Sequence, residues 1–258
     1  MADLPGPIST TGPVDLVPLD EAVALIRAVR IEEALAALAP GITPGQRTGL
    51  TDHCELAHTA VLLSAPSERE LRAAIRSRGL TVGPCRPSTV ARHRLADRYG
   101  ADPEELDVSI LSAPVPGPGG QRREVEIFAL IVPEGSPSRR VAGPETAERN
   151  EEHLALRVLR PDHVVLGKLR AQLTGPGRMH SDGGGYNAHE DGTVLYFRTG
   201  SVGGSPLCRR LELYAPGHHP HVLAAHLDAR DPRPLDDFPL QAGRPGPGGT
   251  PTARAEET

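Results

Sequence analysis

One pattern occurs twice in this chain, in the same order. Ala57-His58-Thr59-Ala60-Val61-Leu62-Leu63 is answered downstream by Val125-Glu126-Ile127-Phe128-Ala129. Glu152-His153-Leu154-Ala155-Leu156-Arg157-Val158 is answered in turn by Arg210-Leu211-Glu212-Leu213-Tyr214. The two histidines lie 95 residues apart and the two glutamates 86. A sequence that repeats itself at this scale folds as copies of one supersecondary unit. Each copy offers an imidazole and a carboxylate, which suggests a metal site shared between the copies.

The segments between these strands support the same reading. After the apolar run at 56–63, Ser67-Glu68-Arg69-Glu70 forms a capping box before Leu71, Ala74 and Ile75, and Gly79 supplies a helix stop. A short strand is expected at 80–82 and an inserted helix at 88–99, ending at Gly100. Leu106 to Ile110 alternates with period two, and the Pro/Gly turn at 116–120 leads into a strand from Glu124 to Val132. The first copy therefore reads βαβββ with one insertion. In the second copy Pro161 stands where a helix starts, Val164, Val165, Leu169 and Leu173 form its face, and Gly175-Pro176-Gly177 ends it. A glycine-rich stretch from Gly183 to His189 is expected to be a mobile flap, followed by strands at 193–197 and 208–214 and a last short helix at 221–227.

Six parts follow: a disordered tail (1–18), a helical N-terminal segment (19–50) capped at Asp20 and packed as an appendage, a first module (51–133), a Pro- and Gly-rich linker (134–149), a second module (150–230) and a disordered tail (231–258). The fold class is α+β, with two tandem modules and a helical addition. An apolar content of 38% is enough for a core. A net charge of −5 with pI near 6.1 leaves no footprint for nucleic acid or an anionic membrane surface. No apolar run reaches the ~20 residues that span a bilayer, and the first residues lack a basic-then-apolar leader. A cytoplasmic protein is expected. Cys54, Cys85 and Cys208 are too few and too scattered for a disulfide framework or a zinc ribbon.

A tandem βαβββ repeat with His on the first strand and Glu on the last strand of each copy resembles the vicinal oxygen chelate superfamily of glyoxalase I, methylmalonyl-CoA epimerase, extradiol dioxygenases and bleomycin-resistance proteins. The resemblance covers about residues 54–227 and is carried by His153-Leu-Ala-Leu-Arg-Val, Thr193-Val-Leu-Tyr-Phe and Leu211-Glu-Leu-Tyr in their order. It implies a half-barrel cup with a divalent metal ion (Fe, Zn, Mn, Ni or Co) held at His58, Glu126, His153 and Glu212, and a small-molecule substrate. It also implies that Glu126 or Glu212 acts as general base in isomerase, epimerase or lyase chemistry. Two further readings stay open. His58, His153 and Glu212 alone form the facial triad of a non-haem Fe(II) dioxygenase. A metal-free resistance protein that sequesters a small molecule is the third. Many members of the superfamily dimerise, so a homodimer is possible as well as a monomer.

Each residue has a plainer reading beside it. A strand histidine is often a satisfied core residue, and a strand glutamate often a solvated one; duplication is what favours ligands here. His53 rivals His58, and Glu124 rivals Glu126. Tyr186, Asn187 and His189 are candidates to touch substrate, with ordinary turn chemistry as the alternative. Arg157 either pairs with a substrate carboxylate or faces solvent. His218, His219 and His221 form a short surface tract of the kind that is usually incidental. No G-x-S-x-G elbow, P-loop or H-E-x-x-H motif is present, which removes the commonest competing enzyme classes.

Overall fold

The computed structural model describes residues 14–188, 190–200 and 209–229. Strand β1 (Cys54–Ala65) is followed by α4 (Glu68–Ser77), β2 (Arg86–Pro87), α5 (Thr89–Tyr99), β3 (Asp107–Pro116) and β4 (Arg122–Ile131). After α6 (Arg139–Glu148) the second copy runs β5 (His153–Val158), α7 (His163–Thr174), β6 (Met179–Asn187), β7 (Gly192–Thr199) and β8 (Arg210–Pro216), and α8 (Pro220–Asp228) closes the described chain. Three helices precede β1: α1 (Val17–Ala28), α2 (Ile31–Leu38) and α3 (Pro44–Thr51).

The eight strands form one sheet in the order β2-β3-β4-β1-β5-β8-β7-β6. This order is symmetric about its middle. β1 and β4 pair in parallel, as do β5 and β8, and the copies meet where β1 runs antiparallel to β5. The tandem βαβββ reading therefore holds. Arg86 on β2 and Glu190 just before β7 come from opposite ends of the sheet order yet approach to 3.9 Å. The sheet thus curls on itself, and its inner face forms the cup.

The outer face carries the larger core. Val61, Leu63, Val125, Ile127, Leu154, Leu156, Leu211 and Leu213 alternate outward from the central strands and pack beneath α1, α4 and α7. In α1 Leu19, Ala22 and Ile26 lie on one helical stripe and are buried. Arg123 on β4 donates to the carbonyls of Ile26 and Val29 at 2.9 and 2.7 Å, which satisfies the end of that helix and ties it to the sheet. The N-terminal helices thus belong to the main core, contrary to the appendage expected from sequence. The expected helical segment ends in α3, which Pro44 after the Thr43 cap starts. α1 begins at Val17, inside the expected tail; residues 1–13 and 230–258 lie outside the described residues. Asp20 lies within α1, pairing with Arg78 at 3.0 Å, and is not its cap.

A second, smaller core lies inside the cup on the first module. Ala60, Leu62, Phe128 and Leu130 face inward and are covered by Leu95 and Ala96 of α5 and by Val141 and Ala142 of α6. Two expectations change here. The segment expected as a linker contains α6, because Val141, Ala142 and Glu145 gain buried partners that offset its Gly and Pro content. Residues 80–82 are not a strand. Leu80 is buried without a ladder partner, and the edge of β3 pairs instead with Arg86 and Pro87.

The glycine-rich stretch is likewise not a flap, since residues 183–187 form the second half of β6 against β7. A bulge between Ser181 and Gly184 lets this happen, with Gly183 at φ 102° taking the conformation that side chains avoid. A side chain at Gly184 would meet the Val194 carbonyl oxygen at 2.4 Å.

Candidate metal centre

Strand parity and one irregularity decide which side chains enter the cup. On β1, Cys54 and Leu56 face the outer core, as do Val61 and Leu63. Positions of opposite parity cannot share a face of one strand unless an extra residue intervenes. The bulge lies between Leu56 and His58, where β1 advances two residues (Leu56↔Leu156, His58↔Ala155) while β5 advances one. It turns His58 inward. On β5 plain alternation puts His153 and Ala155 inside and Leu154 and Leu156 outside.

The seam then brings the copies together reciprocally. His58 lies opposite Ala155, and His153 lies opposite Ala60. The same alanines neighbour the glutamates, Ala60 beside Glu126 and Ala155 beside Glu212. Each imidazole therefore projects over a methyl group of the other copy, which leaves room for both.

Three of the four side chains expected from the sequence, those of His58, Glu126 and His153, gather into one group, and Glu212 lies against His153 outside it. The Nε2 atoms of His58 and His153 are 3.4 Å apart. His58 Nε2 lies 3.9 Å from Glu126 Oε2, and His153 Nε2 lies 3.2 Å from Glu212 Oε2. Ligand atoms of His58, Glu126 and His153 all fall within 4.8 Å of one another, the one such group among the described residues. The side chains of His153 and Glu212 are 0% and 6% exposed, those of His58 and Glu126 14% and 23%. Solvent thus reaches the site from the first module's side.

This donor set fits a cation. His153 Nδ1 is 2.9 Å from the Glu151 carbonyl oxygen, which only accepts, so Nδ1 carries a proton, and Nε2, 3.2 Å from Glu212, offers either a lone pair to a bound ion or, without one, a second proton to that carboxylate. A lone pair facing a buried carboxylate at 3.2 Å, and a second imidazole nitrogen at 3.4 Å, repel unless positive charge sits between them. Two imidazoles and two carboxylates suit Zn, Mn, Fe(II), Ni or Co.

The two carboxylates differ. Burial pushes the Glu126 carboxyl above its usual range, although His58 and His153 pull the other way. For Glu212 burial acts upward too, but the hydrogen bond from His153 and the charges of both histidines outweigh it and hold the carboxyl at about 2. Glu212 is the firmly ionised partner.

Around His153 stands an apparatus that sequence reasoning missed. Its ring is met edge-on by Tyr196 (centroids 5.5 Å) and at a tilt by Phe128 (6.1 Å). Arg94 of α5 reaches over both of these rings, 5.8 Å from Phe128 and 5.4 Å from Tyr196. Its Nε donates to both carboxylate oxygens of Glu151 at 2.9 and 2.8 Å, and its Nη2 to one of them. Arg98, one turn later, donates to Glu151 at 2.7 Å and to Glu145 of α6 at 3.1 Å. Arg210, two residues before Glu212, lies 4.0 Å over the Tyr196 ring and pairs with Asp182 at 2.7 Å. Burial raises Glu151, yet Arg94, Arg98 and Arg210 prevail and hold it well below the carboxylate range. The signals were present: Glu151 and His153, like Arg210 and Glu212, are period-two neighbours, and Arg94 and Arg98 share a helix face.

The expected substrate contacts are not gathered in this way. Arg157 shares the inner face of β5 but pairs with Glu55 at 3.1 Å, and it lines a groove of about 1230 Å³ at the strand ends. Glu124, the strand neighbour of His58, lines the same groove. Tyr186 stacks on His218 (centroids 4.2 Å) and donates to Asp191 at 2.8 Å, with Asn187 beside it at the end of β6. His189 lies outside the described residues.

The tandem βαβββ arrangement implied by the sequence resemblance is present. No family model and no curated protein sequence matches the chain. Among solved structures, a hypothetical protein from Bacillus halodurans C-125 is similar at 15% identity and a TM-score of 0.35, over 64% of this chain and 96% of that one. Methylmalonyl-CoA epimerase from Mycobacterium tuberculosis is similar at 14% identity and a TM-score of 0.34, over 67% and 91%. The 2,3-dioxygenase LapB from Pseudomonas sp. KL28 is similar at 11% identity and a TM-score of 0.20, over 62% and 72%. Likenesses of this size leave the chemistry to the residues themselves.

Proposed function

We propose that this chain is a divalent-metal enzyme that moves a proton on a small oxygenated substrate, in isomerase, epimerase or lyase chemistry. The observation that carries this is the gathering of His58, Glu126 and His153, with Glu212 against His153, from two copies of one unit. A proton on His153 would satisfy Glu212 alone and leave His58 and Glu126, 3.9 Å apart, without a common partner. One ion would serve His58, Glu126 and His153 together, with Glu212 held against His153. When bound, it would polarise a substrate oxygen and acidify the adjacent C–H bond.

The protein's own groups divide the remaining work. His153 and Glu212, almost fully covered, are the fixed pair. Glu126 is the more open carboxylate with the longer contact to its histidine, and it is the one left to take a carbon-bound proton onto Oε2 and return it to a neighbouring atom. Its raised affinity for protons suits that role.

An Fe(II) dioxygenase is the second reading: the sequence pointed to His58, His153 and Glu212 for it, and the grouping of both histidines with a single glutamate, here Glu126, favours a three-ligand site. Incubating metal-loaded protein with a panel of 2-oxo and 2-hydroxy acids and catechols in deuterated water, with oxygen uptake followed in parallel, separates the two. Deuterium exchange at carbon without oxygen consumption supports proton transfer. Oxygen consumption coupled to turnover overturns it in favour of the dioxygenase, and purified protein without stoichiometric metal overturns both.

A further inference from the structure

The clearest difference between the two copies is the helix α5. The second copy passes from β6, ending at Asn187, to β7, starting at Gly192, whereas the first places α5 between β2 and β3. Helix α5 lies inside the cup and not on the outer face where the other module helices pack. From there Arg94 and Arg98 converge on one carboxylate, that of Glu151, whose side chain is fully buried.

Glu151 is held at every polar group. Its amide donates to Glu145 of α6 at 2.6 Å, its carboxylate takes the fork of Arg94 and a bond from Arg98, and its carbonyl accepts from His153 Nδ1. Thr59 of β1 adds a bond of 3.2 Å to the carbonyl of His153 itself. The same Arg94 guanidinium spans the Phe128 and Tyr196 rings that bracket the imidazole. The inserted helix therefore reaches His153 by two independent routes, one through the backbone of Glu151 and one through the flanking rings.

We propose that Glu151, gripped by Arg94 and Arg98, is a positioning residue that holds the His153 ring by its Nδ1–H with Nε2 aimed into the cup. A ring that donates from Nδ1 to the Glu151 carbonyl leaves Nε2 as the nitrogen free to meet an ion. An unclamped segment would let the carbonyl turn away, and the ring would lose that bond and its aim. This inference rests on the metal reading for its purpose, but the Nδ1–H bond is made whether or not an ion is bound, because it does not depend on what Nε2 carries.

The test uses the chelator-treated full chain labelled with 15N at histidine, with His153 assigned by comparison with His153→Ala. In the unaltered protein His153 shows a slowly exchanging proton on Nδ1, the signature of the bond to the Glu151 carbonyl. In Glu151→Gln that proton exchanges too fast to be seen, and Arg94→Lys, which keeps the charge but loses the fork, lies between. Cobalt(II) titration followed by its visible bands then reads a weakening of about 10- to 100-fold in Glu151→Gln. Leu173→Ala in α7 serves as a control for general loosening. An unaltered protein without the Nδ1–H signature overturns the proposal. So do a Glu151→Gln protein that retains it and a Leu173→Ala protein that loses it equally. Should Glu151→Gln fail to fold, Arg94→Lys alone decides. A protein that shows the bonded Nδ1 proton and its loss in Glu151→Gln, yet binds no cobalt, would support the tether and sink the metal reading alone.

Discussion

His58 and His153 face each other across the seam between β1 and β5 with their Nε2 atoms 3.4 Å apart, each opposite an alanine of the other strand. The site is therefore made by the junction of the copies and not by either one. Removing one histidine should abolish the shared site and not merely halve it. His58→Ala and His153→Ala are each expected to weaken binding of zinc or cobalt by at least about 100-fold, the upper end of what losing an outer partner costs. Equilibrium dialysis with metal analysis measures this. Ion bound at 100 times its dissociation constant stabilises the fold by about 2.7 kcal/mol, so chelation should lower the melting temperature of the unaltered protein and leave that of either variant unmoved.

The two glutamates should separate binding from turnover. Glu212, held at about 2 beside the buried His153, is expected to anchor the ion, and Glu212→Gln should lose metal. Glu126→Gln should retain most of the metal and lose turnover by a factor of about 100 or more, the contribution typical of a positioned base. Parallel metal analysis and rate measurement decide this. Equal loss of metal in both variants would make Glu126 a plain ligand.

The four side chains were legible because duplication doubles a weak signal, and because period two in a strand states which residues share a face. Less was legible where long-range contacts override local preference. Ala57 carries no mark of the bulge that turns His58 inward, since a bulge is a property of two strands in register. Gly143 and Pro144 read as a linker, and only the partners of Val141, Ala142 and Glu145 make that segment a helix. Gly183-Gly184-Gly185 reads as a loop, and pairing with β7 makes it a strand. Arg94, Arg98 and Glu151 read as solvated charges, because nothing in a sequence places residues more than 50 apart on one carboxylate.

The seam alanines offer a test of geometry alone. Ala60 and Ala155 are buried at 1% and 0% exposure, each beneath the histidine of the other copy. A larger side chain must push that ring aside. Ala155→Val is expected to cost about 1 to 3 kcal/mol in urea unfolding and to weaken metal binding through His58. Ala60→Val should do the same through His153. Metal affinity unchanged in both variants would mean that the imidazoles do not converge over these methyl groups.

Acid should unfold this protein partly through Glu151, and the sign follows from its depressed affinity for protons. Above the ordinary carboxylate range, about 4.3, Glu151 is ionised in both folded and unfolded chains, and its stabilising contribution is complete. Below that range the unfolded chain takes up the proton first, so stability is lost progressively as pH falls towards the folded value. Glu145 works in the opposite sense: burial pushes its carboxyl up despite Arg98, and its contribution is lost as pH rises. Urea unfolding of chelated protein between pH 6 and 3 should therefore show free energy falling with acidification. In Glu151→Gln the slope should be shallower by as much as about 1.4 kcal/mol per pH unit, the value of one proton. The same variant should be less stable at pH 7 by about 3 to 5 kcal/mol, because two guanidiniums lose their shared partner. An identical acid slope in both proteins would show that Glu151 is not held ionised by Arg94 and Arg98.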